Sequence, residues 1–395
     1  MKEDFLKYQA QTSPHPLAIE ISRANGSFIY DTSGKEYLDF IAGVSANTLG
    51  HNHPKISQAI KNQVDKYTHI MVYGEFIQQP QVSLTKLLAQ NLPKHLETVY
   101  LTNSSTEATE GAIKLAKRFT GRNEIIAAKN GYHGNTQGAM SVCGVEQQNS
   151  AFRPLIPGIK FIRFNNIIDI QKVSTNTAAV ILETIQGGAG FIEPQNEYLK
   201  KVKEKCDKVG ALLILDEIQS GIGRTGKLFG FENYNVVPHI IVAGKGLGGG
   251  MPIGAFISSH TIMSCLKQYP KLGHITTFGG HPVIASAANA TLTALLNSNL
   301  IEQTLQKETL IRKLLVHPLI TNIRGKGLML AILVETSEIA SKVILKCIGK
   351  GLLLFWLLFE NKAIRITPPL TISEDEIFKG CNIIIDSLNE ILTEY

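Results

Sequence analysis

Residues 211–245, ALLILDEIQSGIGRTGKLFGFENYNVVPHIIVAGK, set the architecture. Two short apolar runs, ALLIL (211–215) and IIVAG (240–244), each end in one charged residue, Asp216 and Lys245. An apolar run of this length bounded by turn residues reads as a strand buried on both faces. EYLKKVKEKCDKVG (197–210) precedes the first run and puts Leu199, Val202, Cys206 and Val209 on one helical side. Upstream, TVYLTN (98–103) runs into a helix from Thr106, with Ala108, Ala112, Leu115, Ala116 and Phe119 on one face and Gly121 as its stop. EIIAAK (124–129) and AAVILET (178–184) are further buried-type runs. Strands alternating with helices predict an α/β fold around a mainly parallel sheet. Ligands of such sheets gather at the carboxyl ends of the strands, where Asp216 and Lys245 sit.

The outer segments read differently. Residues 20–40 alternate like a small antiparallel ribbon. After Ser298 come a helix, the strand-like GLMLAILV (327–334), a second helix, and a strand pair around GLLLFW (351–356) and AIRITPP (363–369). The expected division is an N-terminal segment (1–50) that joins a small α+β domain, a large domain (51–295) and the C-terminal small domain (296–395). A net charge of +6 over 395 residues, with no dense Lys/Arg run, argues against a nucleic-acid groove. The longest apolar run, 352–359, is far short of a bilayer span. The start is polar, without a secretory pattern, and the five cysteines (143, 206, 265, 347 and 381) form no CxxC pair. Reduced thiols in a cytoplasmic enzyme are the expectation.

Four features carry chemistry. Ser104, Ser105 and Thr106 open a helix directly after a strand, with Ser104 and Glu107 in a capping-box pattern, and such a terminus suits a phosphate. Tyr132 or His133 in NGYHG (130–134) could stack on a planar ring. Asp216 ends a run too apolar for an unpartnered carboxylate, and a protonated pyridine nitrogen would serve as its partner, with Gln219 within reach of the same ligand. A lone lysine usually runs its ammonium out to water. Lys245 has no acid beside it, and a desolvated lysine is a nucleophilic amine able to form a Schiff base. Phosphate cradle, stacking ring, acid and amine are the parts that pyridoxal phosphate needs. GIGRTG (221–226) matches GxGxxG but opens no helix, and His51 and His53 lack a carboxylate or Cys at metal spacing, so no metal site is expected.

The block LILDEIQSGIGRTGKLFGFENYNVVPHIIVAGKGLGGGMPIGAF (213–256) resembles the signature of the class III aminotransferases, pyridoxal-phosphate enzymes of fold type I. YLDFIAGVSANTLGHNHP, NSSTEATEGAIKLAKR, GYHG, ETIQGGAG, TTFGGHPV and RITPPLTI extend the resemblance over nearly the whole chain, and the 29 residues from Asp216 to Lys245 fit it. It implies that Lys245 carries the cofactor, Asp216 holds the ring nitrogen, Gln219 touches the ring hydroxyl and Tyr132 stacks on the ring. Ser104, Ser105 and Thr106 would hold the phosphate, completed by Thr277 from the partner subunit of a homodimer, with His133 and Glu183 also against the cofactor. Arg365 would bind a substrate carboxylate. Where relatives carry a second carboxylate-binding arginine this chain has Asn135, and where they carry a gating glutamate it has Gly188. HGNTQGAMSV (133–142) looks closer to the diaminopelargonate enzymes. The implied reaction moves an amino group from an ornithine-like donor to 2-oxoglutarate. Another class III reaction (a diaminopelargonate-type or α-amino acid transaminase, an aminomutase or a racemase), or a non-catalytic binding protein on the same fold, are the alternatives.

Overall fold

A computed structural model describes residues 1–394. Its centre is a seven-stranded sheet in the order Thr98–Thr102, Gly254–Ser258, Ile240–Gly244, Leu212–Asp216, Thr177–Glu183, Glu124–Ala128, Ile159–Ile162. All neighbours pair in parallel except Gly254–Ser258, which is antiparallel to both of its own. The five strands read from the sequence are present. Ile159–Ile162 and Gly254–Ser258 were not foreseen. The first is a four-residue edge strand broken by the exposed Lys160, and the second opens on a glycine just after Pro252, so neither carries a clear apolar run.

The register decides what meets what. Asp216 lies opposite Glu183 on one side and Val242 on the other. Ile240–Gly244 runs one step further into Lys245. Two carboxylates and the lysine therefore leave the sheet at the same edge, as parallel strands require.

The helix Ser105–Thr120 packs across this sheet and begins and ends on local chemistry. Ser104 Oγ accepts the Glu107 N–H at 3.4 Å, and Gly121 closes the helix in the left-handed region. The expected capping box is displaced: the Glu107 carboxylate accepts the Asn103 N–H at 2.9 Å, one residue before the cap. Ala108, Ala112, Leu115 and Ala116 are buried as expected, whereas Phe119 is 42% exposed near the helix end and does not belong to the buried face.

Two smaller sheets flank this layer. Ile21–Asn25, Phe28–Asp31 and Glu36–Asp39 form the antiparallel ribbon, and Leu352–Leu353 joins it in parallel. Ile320–Lys326, Met329–Val334, Ala363–Ile366 and Phe355–Trp356 form the other. The GLLLFW stretch is thus divided between two sheets, its first half beside Glu36–Asp39 and its second beside Ala363–Ile366. No helix among the described residues is long and apolar enough to cross a membrane.

Gly111 marks a close helix–sheet contact of this layer. A Cβ there would sit 2.3 Å from the Phe256 ring, which is buried and stacked on Tyr100 at 4.8 Å. Gly111→Ala gains roughly 1 kcal/mol in helix propensity. It also overpacks a ring with nowhere to go, and the second effect wins. A net loss of about 1–3 kcal/mol is expected in denaturant unfolding, with an unchanged m-value.

Candidate active site

The carboxyl edge of the large sheet opens into a cavity of about 470 Å³. Ser105, Thr106, Tyr132, His133, Asn135, Glu183, Asp216, Gln219, Lys245 and Arg365 all line it. Residues 260 positions apart in the chain thus meet in one space. Ser104 does not line it, since its hydroxyl is engaged in the helix cap. Thr277 is exposed and outside the cavity of its own chain. A larger groove of about 660 Å³ runs past Tyr73, Tyr100, His274 and Thr276 and contains none of the site residues read from the sequence.

Asp216 is buried, and each of its oxygens has a donor. Oδ2 accepts from His133 Nδ1 at 2.7 Å, and Oδ1 accepts the Ile218 N–H at 3.0 Å. Burial alone would lower the His133 pKa, but the hydrogen bond and charge of Asp216 outweigh it and the net shift is upward. His133 Nε2 is buried without a partner. The histidine therefore donates Nδ1–H to Asp216 and orients the carboxylate, a role that residue type and spacing did not distinguish from stacking.

Glu183 accepts backbone N–H groups from Tyr132 at 3.1 Å and Gly187 at 2.9 Å, tying two loops at the cavity edge. Burial is the largest influence on it, with the neighbouring Asp216 charge adding, and its carboxyl is pushed up to about 7.

Lys245 holds a left-handed backbone conformation, φ +40°, uncommon for a residue with a side chain. Such strain persists only where the surroundings impose it, and it clusters at functional sites. A Cβ on the preceding Gly244 would lie 2.0 Å from Ser105 Oγ, so only glycine lets this strand end pass the helix start. Burial lowers the lysine pKa, and Arg365 adds to the effect against Asp216 and Glu183.

At the helix start Thr106 Oγ1 is within 2.8 Å of Thr136 Oγ1, whose hydroxyl donates to Glu110 at 2.6 Å. Gly134, at φ +126°, would place a Cβ 2.2 Å from Thr106 Oγ1, so a side chain there is excluded on two counts. Ser105 and Thr106 open a 16-residue helix and line the cavity, and first-turn N–H groups have no partner within their own helix. Gln219 donates to Ser45 Oγ at 3.3 Å.

Arg365 is only 4% exposed, and its Nε and Nη1 have no partner. Burial lowers its pKa to about 10. A buried guanidinium without an acid is costly, and a carboxylate is the group its planar fork fits. Where a gating acid would sit, a Cβ on Gly188 would be 2.8 Å from the Phe359 ring, and the Phe359 N–H donates to Gly188 O at 2.9 Å. An aromatic ring fills that space.

The wall also holds residues that the sequence reading passed over: Val44, Ile185, Ile218, Phe355, Trp356 and Leu358. FWLLF gave a strand signal, and apolar periodicity alone does not tell a pocket wall from a core.

The family model for class III aminotransferases matches residues 8–388. The chain belongs to the class III aminotransferases. It is 39% identical to the acetylornithine aminotransferase of Caldanaerobacter subterraneus subsp. tengcongensis over 94% of this chain and 95% of the relative. It is 38% identical to the putrescine aminotransferase of Pectobacterium atrosepticum over 98% of this chain and 86% of that protein. The crystal structure of ornithine aminotransferase from Toxoplasma gondii ME49 superposes with a TM-score of 0.93 at 29% identity, covering 100% of this chain and 96% of that one. The fold is that of the pyridoxal-phosphate aminotransferases, and family members of this class depend on that cofactor.

Glu183 offers a pH test on the cofactor-free protein. A carboxyl raised in the folded state contributes stability that is full below its unfolded pKa, roughly 4.3. That contribution is lost as pH rises through the folded value of about 7. Wild type should therefore lose stability relative to Glu183→Gln between these limits, read as the difference of denaturation midpoints at pH 4.5 and 7.5. A pH-independent difference would contradict the raised carboxyl.

Proposed function

We propose that this aminotransferase holds pyridoxal 5′-phosphate in the cavity and moves an amino group from an ornithine-like donor, such as ornithine or N-acetylornithine, to 2-oxoglutarate. One observation carries the reading: an acid-free, desolvated Lys245 shares a cavity with an Asp216 whose carboxylate is held by buried His133. The donor set fits the cofactor group by group. Lys245 Nζ would bond the aldehyde carbon, Asp216 would accept the ring N–H, Tyr132 would cover the ring and Gln219 would meet its hydroxyl. The N–H groups of Ser105 and Thr106 would take the phosphate. When bound, the cofactor supplies the electron sink for the bonds at the amine-bearing carbon.

The chain's own groups then divide the work. Lys245, with its pKa lowered by burial, carries more free base near neutrality than an exposed lysine and is placed to move the proton from the amine-bearing carbon. His133 keeps Asp216 oriented, and Asp216 keeps the ring nitrogen charged. Arg365 takes the α-carboxylate of the 2-oxo acid, the partner its two unpartnered nitrogens lack. The exposed Asn135 leaves the distal carboxylate of 2-oxoglutarate in contact with water. Thr277, exposed and outside its own chain's cavity, would complete the phosphate site of a second copy, so the working unit is a homodimer. The five free cysteines, four of them buried, suit the reducing cytoplasm in which we place the enzyme.

Borohydride reduction of the protein loaded with cofactor, followed by peptide mass spectrometry, tests the central claim. The label is expected on Lys245, and a label on another lysine or on none would end the reading. Lys245→Ala should still bind cofactor and lose turnover by several orders of magnitude.

Gly188 bears on which amine reacts. With no acid to cover Arg365 while a terminal amine reacts, α-amino transfer should compete with terminal transfer. Restoring the acid needs room, because Phe359 occupies it. Gly188→Glu combined with Phe359→Ala should raise the ratio of kcat/KM for N-acetylornithine over glutamate relative to Phe359→Ala alone. An unchanged ratio would separate Gly188 from donor selection.

A further inference from the structure

Phe355 and Arg365 face each other across an antiparallel strand pair, and both line the cavity. Directly opposed residues on such a pair project to one side, with Cβ atoms about 5 Å apart. Arg365, a buried cation without an acid partner, thus has an aromatic side chain opposite it on one neighbouring strand. The wall continues through Leu358, with Val44 also lining the cavity, while Trp356, the next residue of the strand, borders the cavity and packs against the core behind Phe355. Trp356 is anchored by its indole N–H, which donates to Ser341 Oγ at 3.1 Å, and its ring meets Phe355 edge-on at 5.2 Å. In the single chain Phe355 is 40% exposed, Leu358 51% and Val44 36%. The acids lining the cavity are Glu183 and Asp216, both already engaged, so a distal ammonium would find no free acid on this wall.

We infer that this enzyme has a second activity, α-transamination of amino acids with apolar side chains, for which Phe355 and Leu358, with Trp356 behind Phe355, form the side-chain subsite. The inference rests on the reading that Arg365 binds the α-carboxylate. With that carboxylate on Arg365 and the α-amine toward Lys245, an aliphatic or aromatic side chain lies along the wall and removes exposed apolar surface from water. The C–N bond at the donor's α-carbon breaks and one forms at the carbonyl carbon of 2-oxoglutarate. The carbonyl oxygen is exchanged through water, so the donor leaves as its 2-oxo acid, oxidised by two electrons, and glutamate is the reduced product.

The test is the donor half-reaction of the holoenzyme with alanine, 2-aminobutyrate, norvaline and norleucine, with glutamine as a polar counterpart of norleucine. kcat/KM should rise about two- to fourfold per methylene, and norleucine should exceed glutamine by at least about tenfold. Phe355→Ala and Leu358→Ala should each lose about three- to tenfold more on norleucine than on alanine. Trp356 is the chain's one tryptophan, so its emission gives a readout independent of turnover. Unreactive hexanoate should perturb that emission with a Kd at least about tenfold below that of propionate, and Arg365→Gln should weaken both acids. A flat series with ornithine still reacting would overturn the subsite and leave the cofactor reading intact. Failure of every donor, ornithine included, together with no borohydride label on Lys245, would overturn both.

Discussion

The contact between Asp216 and His133, 2.7 Å long and buried from water, is the constraint around which the cavity is arranged. A carboxylate at the end of a fully apolar strand is costly to bury unless its lone pairs are met. The protein meets them from two directions. The backbone after the strand donates from Ile218, and the loop after Ala128 supplies His133 from the other side of the Thr177–Glu183 strand. Because that loop must reach Asp216, Tyr132 and Gly134 come with it, and Gly134 passes against Thr106 at the helix start. Fixing one carboxylate thus sets the spacing between Tyr132, the helix start at Ser105 and Lys245.

The residue after Asp216 does comparable work on the other side. Glu217 is fully buried and accepts from the Thr184 and Ser220 hydroxyls and from the Gly230 and Phe231 N–H groups. Burial pushes its carboxyl up to about 7 even so. It folds the 217–231 segment back on itself and presents Arg224, which is buried and has only carbonyl partners, Leu328 O at 3.2 Å and Pro368 O. Pro368 lies three residues past Arg365. The GIGRTG stretch is therefore no dinucleotide loop. It is a clamp that carries the order of the large sheet across to the strand holding Arg365.

That arginine shows how one missing side chain changes a site. An acid at position 188 would neutralise Arg365 and shape the cavity around a charge pair. Glycine leaves the guanidinium unsatisfied, and Phe359 and its neighbours turn the adjoining surface apolar. A cation at one point and an apolar wall beside it are what the proposed apolar donors would use.

Local chemistry made much of this legible in advance. Strands buried on both faces must be continuous apolar runs, and Asp216 and Lys245 at their ends stood out once the helix start at Ser104–Thr106 and the NGYHG loop were set beside them. The start and stop of the helix Ser105–Thr120 followed from Ser104 and Gly121, whose side-chain acceptor and positive φ act within one turn. What depends on distant segments was not legible. Whether His133 stacks or donates, that Glu183 and Asp216 lie side by side, and that Arg224 is a buried clamp are facts of register and packing between segments tens to hundreds of residues apart. The apolar wall was invisible for the same reason: Phe355 and Leu358 have the composition of a core, and only the tertiary fold leaves them lining the cavity that holds Arg365.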